Sequence, residues 1–444
     1  MVKKKESKIL LKLLVDKKKD QVVAAESGVD FMDILAGTVG CMNNLYQSVE
    51  NLDEEDMYIE HCKTLLLNPI NPYPKYCMKL KVNLDDSGSY YYMNVECKCN
   101  GKYNKETFLK DSVENACSDE YVFRKGGISF LISDGLQVRV ASPSSLVQML
   151  SNVGLSDMNQ IEEMHVEIGK NGVIHLLVSS LISKTPLSDV FLPKQKQKRA
   201  RVDTITTSKG LSISENGTRS NTKKLELKLT VRKSTNMVLC AEAGNDFVDS
   251  LFNFLTIPLG SIEDVLKGNS GLGCIDNLYK SVENLDSKWF NTPPPNMNIH
   301  RHEENLKMTL LKPGIALNHK SKNLLLQIKE GFEPYFHDPR QSVGSNRSEF
   351  EKFAKEPSLF YVMDNLEVRP LSSTPTICLL QELNVPLHDI EEQMISVGEL
   401  EALSLLKASL TSTSSALTAG LNHMLKKLID EDVKSNKKKL FRAG

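Results

Sequence analysis

Apolar positions in the first part of the chain form short runs divided by polar residues, the pattern of β-strands. Residues 13–15 and 22–24 are two such runs, and a polar stretch between them predicts a hairpin. Residues 227–231 and 237–241 repeat this arrangement in the second half. We therefore predict a β-hairpin at the start of each half.

Apolar residues recur at helical spacing directly after each hairpin. Phe247, Val248 and Leu251 would share one helix face, with Asp30 or Asp246 as N-cap and Pro258 as the end. A second amphipathic helix is predicted in CMNNLYQSVENLD and in CIDNLYKSVENLD, at 41–53 and 274–286. Its inward positions in the first copy are Cys41, Leu45, Ser48, Val49 and Leu52.

The later parts of each half give mixed signals. Strand-like pieces are predicted at 79–84, 128–132 and 359–362. Each half is predicted to end in helices, at 146–150 and 161–168 in the first, and at 377–383 and 399–410 in the second. The fold class is therefore α+β.

The two halves are copies of each other. Residues 12–28 align with 228–244, and 41–53 align with 274–286, where SVENLD is identical in both. Between these blocks the second copy has 17 residues, 252–268, that the first lacks. The sequence thus predicts two homologous modules in tandem, each a hairpin followed by amphipathic helices and short strands.

A composition change marks the boundary between the copies. We place the first module at 8–192, a basic flexible linker at 193–223, the second module at 224–430 and a basic tail at 431–444. The linker is rich in Ser, Thr, Gly and Asn and poor in large apolar residues, which is typical of solvated segments.

Overall composition narrows the class of protein. The chain has 444 residues with a net charge of −1, which argues against whole-protein attraction to nucleic acid or anionic membranes. No apolar run approaches the length of a membrane span. Nine cysteines, thinly spread, fit reduced thiols. We expect an intracellular protein, cytoplasmic or nuclear, without a membrane partner.

The residues also carry a family resemblance. The pattern KLLVDKKKxxVVxAExGxDFxDxL, then GCxxNLYxSVENLD and a late FxxxDxLxV block, resembles the plant family known as domain of unknown function 674. The resemblance implies a plant origin and a tandem arrangement. It supplies no established activity and no catalytic residues to transfer.

Metal binding is one candidate chemistry. Relatives carry a CxCG-like pair that suggests a metal ribbon, and Cys97 and Cys99 preserve that pair here. Zinc needs four N or S ligands, and the others would come from Cys77, Cys117 or the His61–Cys62 dipeptide. Free thiols are the simpler interpretation, so no cofactor is predicted and zinc is kept as an alternative.

Acid–base and nucleophilic chemistry have simpler explanations. Cys41 and Cys274 recur in both copies but lie on an apolar helix face, as core cysteines do. Asp246 and Asp249, with their counterparts in the first copy, are acidic residues at a helix start, where they favour the helix dipole. The same carboxylates, with Glu26 or Glu242, would also suit acid–base chemistry.

The linker holds the clearest short motif. KQKQKRAR would serve as a nuclear import signal, as a contact to phosphate backbones, or simply as a charged linker. Its basic residues are Lys194, Lys196, Lys198, Arg199 and Arg201.

The leading functional prediction is a non-enzymatic protein–protein interaction module. The alternatives are a small-ligand binder or enzyme with a pocket between the copies, and weak nucleic-acid contact through the linker, so the question of catalysis stays open. Polar residues beside the apolar face of the SVENLD helix are the interaction candidates: Asn44, Tyr46, Glu50, Asn277, Tyr279 and Glu283.

Overall fold

The fold was analysed in a computed structural model of the full chain. It describes residues 9–27, 42–58, 60–67, 129–155, 158–192, 223–272, 274–286, 288, 306–315, 320–328, 352–355, 358–371 and 385–425. Several predicted features lie outside these residues: the Asp30 cap, Cys41, the strand at 79–84, the candidate zinc ligands Cys77, Cys97, Cys99 and Cys117, the basic run 194–201, the helix at 377–383 and the tail 431–444.

The described residues form two antiparallel five-stranded sheets, which confirms the α+β class. The first sheet has the order β4-β3-β2-β1-β5. Its strands are β1 (Ile9–Asp16), β2 (Gln21–Ser27), β3 (Phe130–Ser133), β4 (Val138–Val140) and β5 (Ile161–Ile168). The second sheet has the order β10-β6-β7-β8-β9. Its strands are β6 (Leu225–Arg232), β7 (Met237–Gly244), β8 (Leu359–Met363), β9 (Val368–Pro370) and β10 (Ile390–Val397).

The two sheets correspond strand by strand. Both opening hairpins carry an irregularity at the same place, between Leu14 and Val15 and between Thr230 and Val231. The first sheet is therefore complete, even though its module lacks the 17-residue segment.

The prediction of a helix at 161–168 is wrong, because these residues form edge strand β5. Met164, Val166 and Ile168 point inward while His165 and Glu167 are exposed, an alternation with the period of a strand. All eight residues pair with β1. Strand β10 is its counterpart and pairs in the same way with β6.

The described residues also form eleven helices. In the first module they are α1 (Met42–Asn51), α2 (Glu60–Leu67), α3 (Pro143–Asn152), α4 (Lys170–Ile182) and α5 (Pro186–Phe191). In the second they are α6 (Asn245–Phe252), α7 (Leu259–Val265), α8 (Cys274–Asn284), α9 (Leu306–Leu311), α10 (Glu399–Thr411) and α11 (416–425).

The predicted cap and end of α6 need correction. Gly244 is the N-cap, so Asp246 lies inside the first turn, where its charge still favours the helix dipole. The helix ends at Phe252, and a 3-10 turn, Asn253–Thr256, follows it before Pro258.

The chain divides into two compact units that do not follow the two sequence modules. Unit 1 comprises Met1–Gly37, Asn71–Lys209 and Pro258–Gly314, and unit 2 comprises Thr38–Ile70, Gly210–Ile257 and Ile315–Gly444. Helix α8 of the second module therefore belongs with the first sheet, and helices α1 and α2 of the first module belong with the second sheet. The modules exchange helices.

The core of unit 1 shows the exchange directly. Leu11, Leu13 and Phe130 of the first sheet share one buried cluster with Val282 and Leu285, which come with α8. Burying one such aliphatic side chain contributes about 2 kcal/mol. The exchanged helix is thus part of the hydrophobic core rather than an attachment to it.

The 17-residue segment gains a structural explanation from the exchange. Residues 252–268 begin at the end of α6 in unit 2 and continue through α7 in unit 1, with the boundary between Ile257 and Pro258. The segment is thus a connection between units, and the first module makes the corresponding connection with fewer residues.

We expect the chain to stay together when it is cut in the linker. A protease site placed between 193 and 222 should yield two fragments that elute as one complex, because each unit contains helices from both fragments. Native mass spectrometry of the cut protein measures this. In an Asn44→Ala/Asn277→Ala variant with the same cut, the two fragments should separate at a lower urea concentration than those of the cut wild type. Free fragments from the cut wild type would contradict the exchange.

Candidate functional site: the turn that receives the exchanged helix

A tight turn joins β3 to β4. The backbone N–H of Leu136 donates to the carbonyl of Ser133 at 2.9 Å, and the N–H of Ser133 donates to the carbonyl of Gln137 at 2.9 Å. Leu136 has φ of 58°, as the third loop residue of such a hairpin requires. This left-handed conformation costs a leucine about 1 kcal/mol. Burial of its side chain offsets that cost.

The turn between β8 and β9 has the same geometry. The N–H of Leu366 donates to Met363 at 2.9 Å, the N–H of Met363 donates to Glu367 at 2.8 Å, and Leu366 has φ of 64°. In both turns the carbonyl just before the leucine is free to accept a hydrogen bond from another element.

Helix α8 binds the first turn through two side chains. The Asn277 amide nitrogen donates to the Gly135 carbonyl at 2.9 Å. The backbone N–H of Val138 donates to the Ser281 hydroxyl oxygen at 2.9 Å, and that hydroxyl donates to the Asn277 carbonyl at 2.7 Å. Since Asn277 and Ser281 are four residues apart, both lie on one face of the helix.

Helix α1 binds the second turn in the same way. The Asn44 amide nitrogen donates to the Asn365 carbonyl at 2.9 Å. The N–H of Val368 donates to the Ser48 hydroxyl oxygen at 2.8 Å, and that hydroxyl donates to the Asn44 carbonyl at 2.7 Å. The two contacts are equivalent atom for atom.

The serine contact closes an open sheet edge. Strands β4 and β9 are terminal strands, so the N–H groups of Val138 and Val368 that face away from the sheet have no strand to pair with. Leaving a buried N–H unpaired costs about 1–3 kcal/mol. Only Ser48 was predicted, as one of the inward positions of its helix. The matched spacing of both serines from the asparagines was the signal for this role.

An aspartate in each turn holds a helix on the other side. The Asp134 carboxylate accepts from the Ser188 backbone N–H at 2.9 Å and from its hydroxyl at 2.6 Å. That hydroxyl oxygen also accepts the Val22 N–H at 2.8 Å, which joins α5 to β2. Burial raises the pKa of Asp134.

The second unit repeats this aspartate contact with a threonine. The Asp364 carboxylate accepts from the Thr418 N–H at 2.7 Å and from its hydroxyl at 2.9 Å, while that hydroxyl oxygen accepts the Val238 N–H at 2.9 Å. Burial raises the pKa of Asp364 to about 6. Each turn therefore positions one helix through its aspartate and the exchanged helix through its backbone.

The six interaction candidates divide between two faces of the exchanged helices. Asn44 and Asn277 point inward to the turns, as described above. Tyr46 is 40% exposed, and Glu50 and Glu283 are also exposed, on the outer face. A role in binding a partner stays a prediction for all six.

Tyr279 differs from its counterpart Tyr46. Its side chain is half-buried, and its hydroxyl donates to the Asp264 carboxylate of α7 at 3.5 Å. Burial and nearby carboxylates raise the pKa of Tyr279 well above its usual value. Asp264 in turn pairs with Lys312 at 2.8 Å. The 17-residue segment therefore covers part of the outer face of α8, whereas Tyr46 at the corresponding position of α1 is exposed.

The recurring carboxylates of the second copy have structural partners. Asp249 is fully buried and accepts from the N–H groups of Phe353 and Ala354, at 3.0 and 2.7 Å, and from the side chains of Asn323 and Ser321, at 3.1 and 3.3 Å. Burial raises the pKa of Asp249 to about 6, although these donors favour the carboxylate. Its arrangement joins three chain segments rather than presenting a reactive group.

A different buried carboxyl group has no such support. Glu263 is 1% exposed, and neither carboxyl oxygen has a hydrogen-bond partner among the described residues. The nearby Asp276 carboxylate accepts from the Ser270 N–H at 2.9 Å and from the Ser270 hydroxyl at 2.7 Å, both through Oδ1. Burial raises the pKa of Glu263 to about 7. The adjacent Asp276 carboxylate adds to this rise, while Ser270 and the charge of Lys280 oppose it.

Thiol and metal chemistry find little support in the described part of the chain. The Cys274 thiol donates to the Ser183 carbonyl at 2.9 Å, and burial raises its pKa to about 12, so it is not a thiolate at neutral pH. No group of three or more His, Cys, Asp or Glu side chains lies together there as a metal site. One cleft of about 320 Å³, in unit 2, is lined by Lys223, Lys224 and Asp246 among others.

Comparison with family models gives a match to the protein of unknown function DUF674, over residues 5–38 and 36–400. The chain belongs to the DUF674 family. The matched ranges contain both sheets, both turns and both exchanged helices of this DUF674 protein. No match was found among curated proteins or among solved structures. In the described parts of the DUF674 chain, no helix has the length and apolar character needed to cross a membrane.

The hydrogen bonds that Ser281 and Ser48 accept from the edge strands should contribute measurably to stability. Replacing Ser281 by alanine leaves the Val138 N–H unpaired, so we expect the free energy of unfolding to fall by about 1–3 kcal/mol. Ser48→Ala should act alike through Val368. Urea denaturation measures both, with Glu283→Gln as an exposed control on α8. Equal stabilities for the serine variants and the control would contradict the role assigned to the serines.

Glu263 should make stability depend on pH. Its folded pKa of about 7 exceeds the unfolded value of about 4.5, so stability falls as pH rises through this interval. Glu263→Gln should remove this loss and be more stable than wild type by about 2–3 kcal/mol at pH 8, with little difference at pH 4.5.

Urea denaturation across this pH range tests that prediction. Glu283→Gln, an exposed change on α8, is the matched control and should leave the wild-type pH profile unaltered. A Glu263→Gln profile that runs parallel to that of the wild type would contradict the assignment.

Proposed function

We propose that this DUF674 protein is a non-enzymatic, intracellular plant protein that binds a protein partner through the outer face of exchanged helix α1. The observation that supports this most is the open position of Tyr46. Its ring is 40% exposed on a helix whose opposite face is fixed to the sheet by Asn44 and Ser48. Tyrosine on a rigid element is a frequent anchor of protein interfaces.

Glu50 adds a charge to the same face, since it lies one turn after Tyr46. An aromatic ring with a carboxylate one turn away suits a partner that offers an apolar recess beside a basic side chain. The corresponding pair on α8, Tyr279 and Glu283, has its tyrosine tied to α7. We therefore assign the principal contact to α1 and a weaker or absent one to α8.

The alternatives are less well supported by the described residues. A small-ligand or enzymatic role would use reactive groups in a cleft, whereas Asp249 and Asp364 are saturated by hydrogen bonds and Cys274 is a buried thiol. Nucleic-acid contact through Lys194–Arg201 is independent of the described structure. It predicts binding that weakens steeply with salt.

The proposed contact should be lost without loss of folding. We expect Tyr46→Ala/Glu50→Ala to weaken partner binding at least tenfold, about 1.4 kcal/mol or more, while stability changes by less than about 0.5 kcal/mol. Tyr279→Ala should instead reduce stability and leave binding nearly unchanged. Native mass spectrometry of tagged full-length protein from plant tissue identifies the partner, and titration with that partner measures affinity.

Val147→Ala, at an exposed apolar residue of α3, is the matched control and should keep full affinity. The proposal fails if the Tyr46/Glu50 variant binds as tightly as this control. It also fails if the purified protein carries a small molecule and no protein partner.

A further inference from the structure

We infer that the turns that receive α1 and α8 also receive the same helices from a second copy of this chain. The occupant is a helix with the Asn-x-x-x-Ser spacing of NLYxSVENLD, and the result is a helix-exchanged dimer. This inference uses the inner face of the helices and does not depend on the outer-face contact proposed above.

The first support is that each turn recognises its helix through backbone atoms. The acceptor is the carbonyl of Gly135 in one turn and of Asn365 in the other, at the same 2.9 Å from the asparagine amide. The donors are the N–H groups of Val138 and Val368, at 2.9 and 2.8 Å from the serine. These hydrogen bonds use no side chain of the turn, so each turn recognises the asparagine and the serine of its helix by their positions on one helix face.

The second support is that the helix comes from far along the chain in both units. Asn44 and Asn365 are 321 positions apart, and Asn277 and Gly135 are 142 positions apart. Neither turn uses the helix of its own module. Contacts of this kind form identically whether the helix belongs to the same molecule or to another, and exchange of an identical element is a low-cost route to dimers.

The third support is the backbone where the chain passes from unit 2 to unit 1. The boundary lies between Ile257 and Pro258, and Pro258 is extended, with φ of −63° and ψ of 146°. Proline fixes φ and disfavours a helical conformation in the residue before it. The backbone at the boundary is therefore extended rather than helical, and Ile257 is extended too, with φ of −79° and ψ of 122°.

Concentration decides which form predominates. A helix tethered in the same chain has a millimolar effective concentration when its connection is short. At low protein concentration we therefore expect exchange within one chain. Refolding at high concentration, when all helices are released together, should give dimers in which the helices are exchanged between chains.

Mixed-isotope cross-linking of the full-length chain tests this. Unlabelled and ¹⁵N-labelled protein are unfolded in urea, mixed in equal amounts and refolded over a range of concentrations. A carbodiimide then joins Asp56, in the segment that contains α1, to Lys355 in the second module. The Lys355 N–H donates to the Asp56 carbonyl at 2.9 Å, so these residues are adjacent within unit 2.

The expected result is an Asp56–Lys355 cross-link between one labelled and one unlabelled peptide, in a fraction that increases with concentration. In a fully exchanged dimer about half of these cross-links should be mixed, because each helix meets a labelled or an unlabelled partner equally often. Native mass spectrometry should show the mixed dimer in the same samples.

Cross-links that join only like-labelled peptides at every concentration would overturn the inference, even if a dimer is present. The Tyr46→Ala/Glu50→Ala variant keeps Asn44 and Ser48, so it should give the same mixed cross-links as wild type. A failure of the outer-face proposal is thereby distinguished from a failure of helix exchange between chains.

Discussion

The β3–β4 and β8–β9 turns are the constraint on which the rest of this structure depends. Each turn forces a leucine, Leu136 or Leu366, into the left-handed region, and in doing so exposes a carbonyl and an edge N–H that both need partners. The asparagine and serine of an exchanged helix supply those partners. An aspartate from the same turn, Asp134 or Asp364, holds a further helix, so a four-residue connection between two strands orders elements from both modules.

Polar groups are buried throughout this arrangement, and nearly all of them are paired. Asp249 shows how complete the pairing is, since two backbone and two side-chain donors surround one carboxylate. Glu263 is the exception among the buried carboxylates that the structure describes, and it lies in the segment that only the second module has. That segment connects the units. It contains the buried, unpaired carboxyl group of Glu263, and it also covers Tyr279 on the outer face of α8.

The exchange of helices also bears on what the DUF674 protein does. A helix that is anchored by its inner face presents its outer face in a fixed geometry, which lowers the entropic cost of binding. The most recognisable motif of the sequence, NLYxSVENLD, thus serves two purposes. Its asparagine, serine and apolar residues build the fold, while its tyrosine and glutamate are left for a partner.

The sequence by itself determined the hairpins, the amphipathic helices and the equivalence of the two copies, because these follow from local periodicity and direct comparison. It did not determine that 161–168 is a strand. Two adjacent glutamates interrupt the strand alternation and suit the polar face of a helix, and only pairing with β1 distinguishes the strand period from the helical one. Nor did it determine which sheet receives which helix. An amphipathic pattern shows which face of α1 or α8 is buried, but both turns offer the same backbone groups, so only the tertiary structure decided the exchange.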